Sequence, residues 1–389
     1  MENKDYSVLI LGNFENVYII QFVKHLKALN PNAHLFFWGY TRSKNDDDRS
    51  FVDCYDEYYL FDINHNPNSS IIDKIQSIIQ LRKHFKKFVT NRKFDFINVH
   101  YIKPEYFFLV DYLKRHASKL ILTPWGSDVY GAKGGYKRFV QGCFSSADFI
   151  TGSDDRFTTD FKQMFNVPDK KIVKCDLGIE PIEYIIEHKT ITNTNEAKRQ
   201  LGLNDHYIIT CGYNATSGQQ HLAMIEQINI VKDRLPKNLL VLFPLTYNKK
   251  ADYIQKIKEK VKQCGLNAIY FEDFLDLPRL FLLRQATDIF IHIQISDATS
   301  ASLNEYLLCE KKVINGAWLK YPELIKNGVT PYFEVDCLEN LGKRIVDVYH
   351  AEPIKLEKEL VDDFEKKQWK VTIKDWDALF SGHPQPINF

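Results

Sequence analysis

Ile291–Gly316 reads IHIQISDATSASLNEYLLCEKKVING. An apolar run over Asp288–Ile293 predicts a buried strand. A small polar loop follows, then a helical pattern over Ser300–Glu310, then a second strand at Lys312–Asn315. Strand, helix and strand in this order predict neighbouring parallel strands joined by a crossover helix. Thr299, Ser300 and Ser302 stand where the helix opens. Their hydroxyls can cap it, and the free amides and positive dipole end there attract an anion. Asp297 lies in the loop, and Glu305 about one and a half turns into the helix. The two carboxylates flank an anion-binding turn and can accept hydrogen bonds from sugar hydroxyls. An ordinary capped helix with a solvated loop acid fits the same residues.

The same alternation extends in both directions. Towards the amino end, strands are expected at Ser7–Gly12, Ala33–Trp38, Tyr58–Phe61, Asp95–Val99, Lys119–Thr123, Asp148–Thr151 and Lys171–Cys175. After a break they resume at Tyr207–Cys211, Leu239–Phe243 and Ala268–Phe271, and a last strand is expected at Pro331–Val335. Helical patterns lie between them, and two helices, near Ile354–Trp369 and Ile373–Phe380, close the chain. Continuous apolar strands separated by helices predict an α/β protein with parallel sheets covered on both faces. The pattern breaks at Pro181–Ala197, where Asn-Thr pairs and polar runs suggest a linker. The expected organisation is a doubly wound Rossmann-like domain over residues 1–180, a linker over 181–197, a second over 198–350, and C-terminal helices over 351–389 packing back toward the first. Ligands of such sheets bind beyond the carboxyl ends of the strands, so the cleft between the domains is the expected site.

Composition excludes several classes. The 389 residues carry 51 Lys+Arg against 50 Asp+Glu, a formal charge of +1. A general nucleic-acid binder needs a cationic surplus, so none is expected as partner. Seven scattered cysteines without a CxxC pair suggest neither a disulfide framework nor a zinc site. Gly12-Asn13-Phe14 lacks the GxGxxG pattern of a dinucleotide cofactor. The amino end lacks a signal-peptide pattern, and no run reaches the ~20 apolar residues of a spanning helix. A cytoplasmic protein is expected, either soluble or peripheral on the cytoplasmic face of the membrane.

Asp297, seven intervening residues and Glu305 resemble the acidic motif of GT-B glycosyltransferases, particularly those numbered family 4. The resemblance implies that the first acid faces the donor sugar and that Glu305 binds the ribose of the nucleotide. Asp stands where that family usually has Glu. Leu120–Gly131 (LILTPWGSDVYG), Ser145–Asp154 (SSADFITGSD), Lys171–Pro181 (KIVKCDLGIEP) and Lys198–Leu203 (KRQLGL) match the family in order and spacing. The turn Gly212–His221 (GYNATSGQQH) lacks the Arg and Lys with which the family neutralises a diphosphate. It offers Gly212, Asn214, Thr216, Ser217 and backbone amides, and Lys249, Lys250 and Arg284 are candidates to substitute for the missing cations. This turn, with Leu242–Ile254, resembles bacterial fucosamine transferases of enterobacterial common antigen assembly, which act on lipid-linked acceptors.

The resemblance implies a metal-independent glycosyltransferase without cofactor, moving sugar from a nucleotide sugar to a glycan or lipid-linked acceptor in bacterial surface polysaccharide synthesis. Family likeness favours retention of configuration, and the fucosamine-transferase likeness favours inversion. Tyr247 and Phe274 follow strands and are candidates for contacting the base. On the acceptor side Gly126, Ser127 and Asp128 follow a strand. Asp128 could deprotonate a hydroxyl or cap its own turn, and His100 is a second candidate. The rival readings are a non-catalytic partner of an active transferase, an epimerase and a phosphorylase.

Ile71, Ile72, Ile75, Ile78, Ile79, Phe85 and Phe88 recur at helical spacing and are expected to face the core. The basic end of that helix, with Arg82, Lys83, Lys86 and Lys87, suits either the helix dipole or an anionic membrane surface.

Overall fold

The computed structural model describes residues 4–40, 50–61, 71–153, 156–297 and 300–387. The chain divides into two compact units, Met1–Gly178 with Trp369–Phe389, and Ile179–Gln368.

Among the described residues the first unit holds seven strands: β1 (Tyr6–Asn13), β2 (Ala33–Tyr40), β3 (Glu57–Leu60), β4 (Phe94–His100), β5 (Ala117–Thr123), β6 (Phe149–Gly152) and β7 (Ile172–Lys174). Their order is β3-β2-β1-β4-β5-β6-β7 and every pairing is parallel. Val8 to Leu11 are fully buried, as a central strand covered on both faces requires. The helix Val17–Leu29, capped by the Asn16 side chain, covers one face with Ile19, Phe22, Val23 and Leu26. The C-terminal helix Trp369–Phe380 packs beside it. Trp369 and Trp376 are fully buried, and their ring nitrogens donate to Gln21 Oε1 (3.0 Å) and the Asp176 carbonyl (2.8 Å). A Cβ on Gly178 would stand 2.4 Å from the Trp369 ring, so the chain passes close under the indole there.

The second unit holds β8 (Tyr207–Cys211), β9 (Leu239–Pro244), β10 (Ala268–Phe271), β11 (Ile289–His292), β12 (Lys312–Gly316) and β13 (Phe333–Val335). The order is β10-β9-β8-β11-β12-β13, again parallel throughout. Strand order reverses between β8 and β11. The loops that follow β8 and β11 meet at that reversal, the carboxyl edge where ligands of such sheets ordinarily bind.

All thirteen strands lie within two residues of their expected positions. Three helical expectations need revision. Residues 181–197, read as a linker, are mostly helical, in Glu180–His188 and Thr194–Gln200. Ile182 and Ile185 bury one face of the first, Tyr184 stacks on His188 (3.9 Å), and Asn193 caps the second by accepting from Glu196 N (3.0 Å). The Asn-Thr pair that suggests a loop is a helix start. The closing helices are Lys358–Lys366 and Trp369–Phe380, so Trp369 opens a helix rather than ending one. Lys358–Lys366 belongs to the second unit, and Leu360 and Phe364 are buried in it.

The third revision concerns the helix Ile71–Val89. Leu81, Phe85, Phe88 and Val89 face the core, but Ile75 and Ile79 are 53% and 57% exposed. Counting apolar residues at helical spacing does not say which of two stripes turns inward. The side chains of Ile71 and Ile72 lie outside the described residues.

Candidate functional site

The loops after β8 and β11 gather most of the second unit's candidate residues. Gly212 leaves β8 with φ +62°, where a side chain would be strained, and its amide donates to the Ile291 carbonyl (3.2 Å). A Cβ there would lie 2.8 Å from Gln219 Oε1 and 3.0 Å from His221 Nε2. Asn214 Oδ1 accepts from Thr216 N (2.9 Å), closing the turn. Thr216 is half-buried and Ser217 exposed. Gln219, Gln220 and Tyr213 join this loop to the next. Tyr213 Oη and Gln219 Nε2 donate to Gln294 Oε1, Gln220 Nε2 donates to the Ile293 carbonyl, and Ile295 N donates to the Gly218 carbonyl.

The loop after β11 centres on His292, which is fully buried. Both Nδ2 bonds of Asn315 go to backbone carbonyls, so its Oδ1 accepts from His292 Nδ1 at 2.9 Å. The ring proton therefore sits on Nδ1. Nε2 is left to accept from Ser300 Oγ (3.2 Å), and it lies 3.5 Å from Asp297 Oδ2. Ser300 Oγ itself accepts from Leu303 N, so it caps the helix Ala301–Leu308. Asp297 also accepts from Tyr321 Oη (3.1 Å); burial first, and then the Asp297 charge, raises the Tyr321 pKa and keeps that hydroxyl protonated. Thr299 lies outside the described residues.

Glu305 and Arg284 form a buried ion pair, Nε to Oε2 at 2.8 Å, with side chains 5% and 4% exposed. The remaining guanidinium nitrogens donate to Tyr306 Oη (2.9 Å) and Ser302 Oγ (3.3 Å). Burial opposes the arginine charge, but Tyr306 and Glu305 more than offset it and raise the pKa. Arg284 is therefore engaged inside the unit and does not replace the missing cations of the Gly212 turn. Ser302 likewise points inward to Arg284 rather than to an anion. Lys249 and Lys250 are exposed. Tyr247 joins the loop after β8, since its carbonyl accepts from Ala215 N (3.0 Å). Phe274 is 79% exposed and follows β10, two strands from β8, or about 10 Å at normal strand spacing.

Residues 7–153 match the family model described as Glycosyl transferase 4-like. A glycosyltransferase from Rickettsia africae superposes with TM-score 0.67 at 14% identity, covering 98% of this chain and 99% of that one. The fold is GT-B. Sucrose-phosphate synthase from Thermosynechococcus elongatus gives TM-score 0.69 at 12% identity, covering 97% and 99% of the two chains. Anabaena HepE, in complex with UDP and glucose, gives 0.66 at 11%, covering 97% and 100%. No curated protein sequence matches closely enough to count as a relative.

In the amino-terminal unit of this GT-B chain, the acceptor-side candidates Asp128 and His100 are buried. Asp128 has no solvent exposure. Its Oδ1 accepts from the amides of Trp125 and Gly126 (2.9 Å each) and its Oδ2 from Ile102 (2.8 Å). Burial raises its pKa against the pull of those amides. The carboxylate clamps two loops and has no free approach for a hydroxyl. Gly126 takes φ +110° in this turn, and Ser127 is exposed and donates to Tyr101 Oη (3.3 Å).

His100 is also enclosed. Asn98 Oδ1 accepts from Thr123, so Asn98 Nδ2 donates to His100 Nε2 at 3.0 Å and the ring proton sits on Nδ1. Nδ1 has no hydrogen-bond partner among the described residues. Phe22, Trp125 and Trp376 surround the ring, and burial lowers its pKa to about 3. Its one lone pair is engaged, so it is not a base as it stands.

Sequence reasoning missed His292, His221, Tyr213, Gln219, Gln294 and Tyr321. His292 hides in an apolar run. His221 follows a Gln pair and opens the helix His221–Val231 with Nε2 buried and unpartnered among the described residues. Burial lowers its pKa to about 4.

A pH dependence follows. Folded pKa values below the ordinary 6.5 mean that the unfolded chain binds these protons first. The stability is fully present above pH 6.5 and is lost as pH falls toward about 4 for His221 and about 3 for His100. Each histidine is expected to cost ~2 kcal/mol by pH 5. Urea midpoints measured from pH 7 to pH 5 check this, and His221→Gln should remove about half of the drop.

Proposed function

We propose that the chain is a glycosyltransferase that takes a sugar from a nucleoside-diphosphate donor bound by the carboxyl-terminal unit. The acceptor in this reading is a hydroxyl of a glycan or lipid-linked oligosaccharide, in bacterial surface polysaccharide or glycoconjugate synthesis at the cytoplasmic face of the membrane. The observation that carries it is the convergence of the β8 and β11 loops at the reversal of strand order. There the Gly212 turn, the Ser300 cap and Asp297 come together on a hydrogen-bonded frame.

In this reading the diphosphate rests at the amino end of the helix His221–Val231, since the amides of Gly212, Tyr213, Ala215 and Thr216 already donate within the unit. His221 Nε2, without a hydrogen-bond partner among the described residues, lies beside Gly212 at that helix start. Asp297, held by the Tyr321 hydroxyl, faces the sugar hydroxyls. Glu305 acts by fixing the helix that carries these groups and, through its second oxygen, on the ribose. Tyr247 offers the base a ring. No metal or cofactor is required, because amide dipoles neutralise the leaving group. The likeness of the Gly212 turn to fucosamine transferases favours a lipid-linked acceptor.

Thermal unfolding with a panel of UDP-, GDP- and dTDP-sugars tests the reading. One donor at 100 times its Kd is expected to stabilise by about 2.7 kcal/mol. Stabilisation by none would favour a non-catalytic partner protein, the reading that the sequestered Arg284 supports.

A further inference from the structure

We infer that the exposed stripe of the helix Ile71–Val89 is a docking surface for an anionic lipid bilayer. Ile75, Ile79, Arg82 and Lys86 are spaced four, three and four residues apart, so they line one face over about 16 Å. The adjacent face carries Leu81, Phe85 and Phe88 into the core, and Val89, next on the line after Lys86, is buried with them. Upstream of it the helix still presents two isoleucines to solvent. A solvated helix face would be polar there. Cations continue the same line, Lys83 flanks it, and the one acid of the helix, Asp73, stands outside it.

Arg82 links this stripe to a second apolar surface. Its Nε donates to the Phe108 carbonyl (2.8 Å). Neighbouring Phe107 is 39% exposed, and its ring lies 5.6 Å from that of Phe139. Apolar area alone would suit a protein partner, and cations alone would suit any polyanion. Isoleucines in line with lysines match a bilayer interface, where apolar side chains enter the acyl boundary and ammonium groups meet the headgroup phosphates. No helix among the described residues is long and apolar enough to cross a membrane, so attachment is to the surface.

The test is co-sedimentation of the full chain with vesicles of phosphatidylcholine mixed with phosphatidylglycerol, against phosphatidylcholine alone. Binding to the mixed vesicles is expected, weakening as salt rises. Each surface cation contributes about fivefold, so Lys83→Gln with Lys86→Gln should weaken binding about 25-fold. Ile75→Ser with Ile79→Ser should weaken it by on the order of tenfold or more. These side chains are exposed, so both variants should keep the wild-type unfolding midpoint. Absence of binding to mixed vesicles overturns the inference. So does binding that survives the isoleucine changes, which marks a purely charged partner instead. Donor-induced stabilisation is a separate measurement, so either proposal can fail while the other stands.

Discussion

Glu305→Ala is expected to destabilise the carboxyl-terminal unit by about 3 to 5 kcal/mol, because it leaves the Arg284 guanidinium charged, buried and short of its partner. The surrounding bonds make this more than the loss of one contact. Arg284 spans Glu305, Tyr306 and Ser302 on the helix Ala301–Leu308, the helix that the Ser300 cap opens. Without the carboxylate the helix keeps only the Tyr306 and Ser302 bonds to Arg284 on the neighbouring helix Leu277–Ala286. Replacing both partners with apolar residues, Arg284→Met with Glu305→Leu, should restore much of the stability, since two apolar groups leave no orphaned charge. Urea unfolding of the single and double variants checks this. A single variant that unfolds like the wild type but binds nucleotide poorly would show that Glu305 serves the ligand alone.

Asp128→Ala is expected to cost the amino-terminal unit about 3 kcal/mol or more, because it strands the buried amides of Ile102, Trp125 and Gly126. Asp128→Asn should fall between Ala and the wild type. Its oxygen can still accept from Trp125 and Gly126, but its NH2 group meets the Ile102 amide donor to donor. A general base behaves otherwise: the Asn variant would keep full stability and lose turnover. Comparing unfolding midpoint with transfer rate in the two variants separates the roles.

The strands were legible because each is a run of apolar β-branched residues bounded by polar turns. Their register in sequence fixes little else. The Asp297–Glu305 spacing was visible, but the partner that defines Glu305 lies 21 residues upstream on another helix, in LPRLFLLRQA, where an arginine reads as solvated. His292 was hidden because IFIHI has the signature of a buried strand and nothing local reveals that Asn315 fixes its tautomer. Asp128 was seen with both its meanings, and only the three amide distances separate a clamp from a base. Ile75 and Ile79 share the spacing of a core stripe, and their direction depends on which face the sheet already covers.

The C-terminal helix has a further consequence for the order in which the chain acquires structure. The carboxyl-terminal unit is one uninterrupted segment, and its two ends meet, with Ile179 N donating to the Lys367 carbonyl at 2.9 Å. The amino-terminal unit is split around it. During synthesis on the ribosome, domains fold as they emerge, ordinarily the first before the second. Here the earlier unit emerges with the Phe22 face still bare of Trp369 and Trp376. The later unit has its full sequence before the earlier one does. A nascent chain arrested before Trp369 therefore holds one complete unit and one with an open apolar seam, the state most in need of a chaperone.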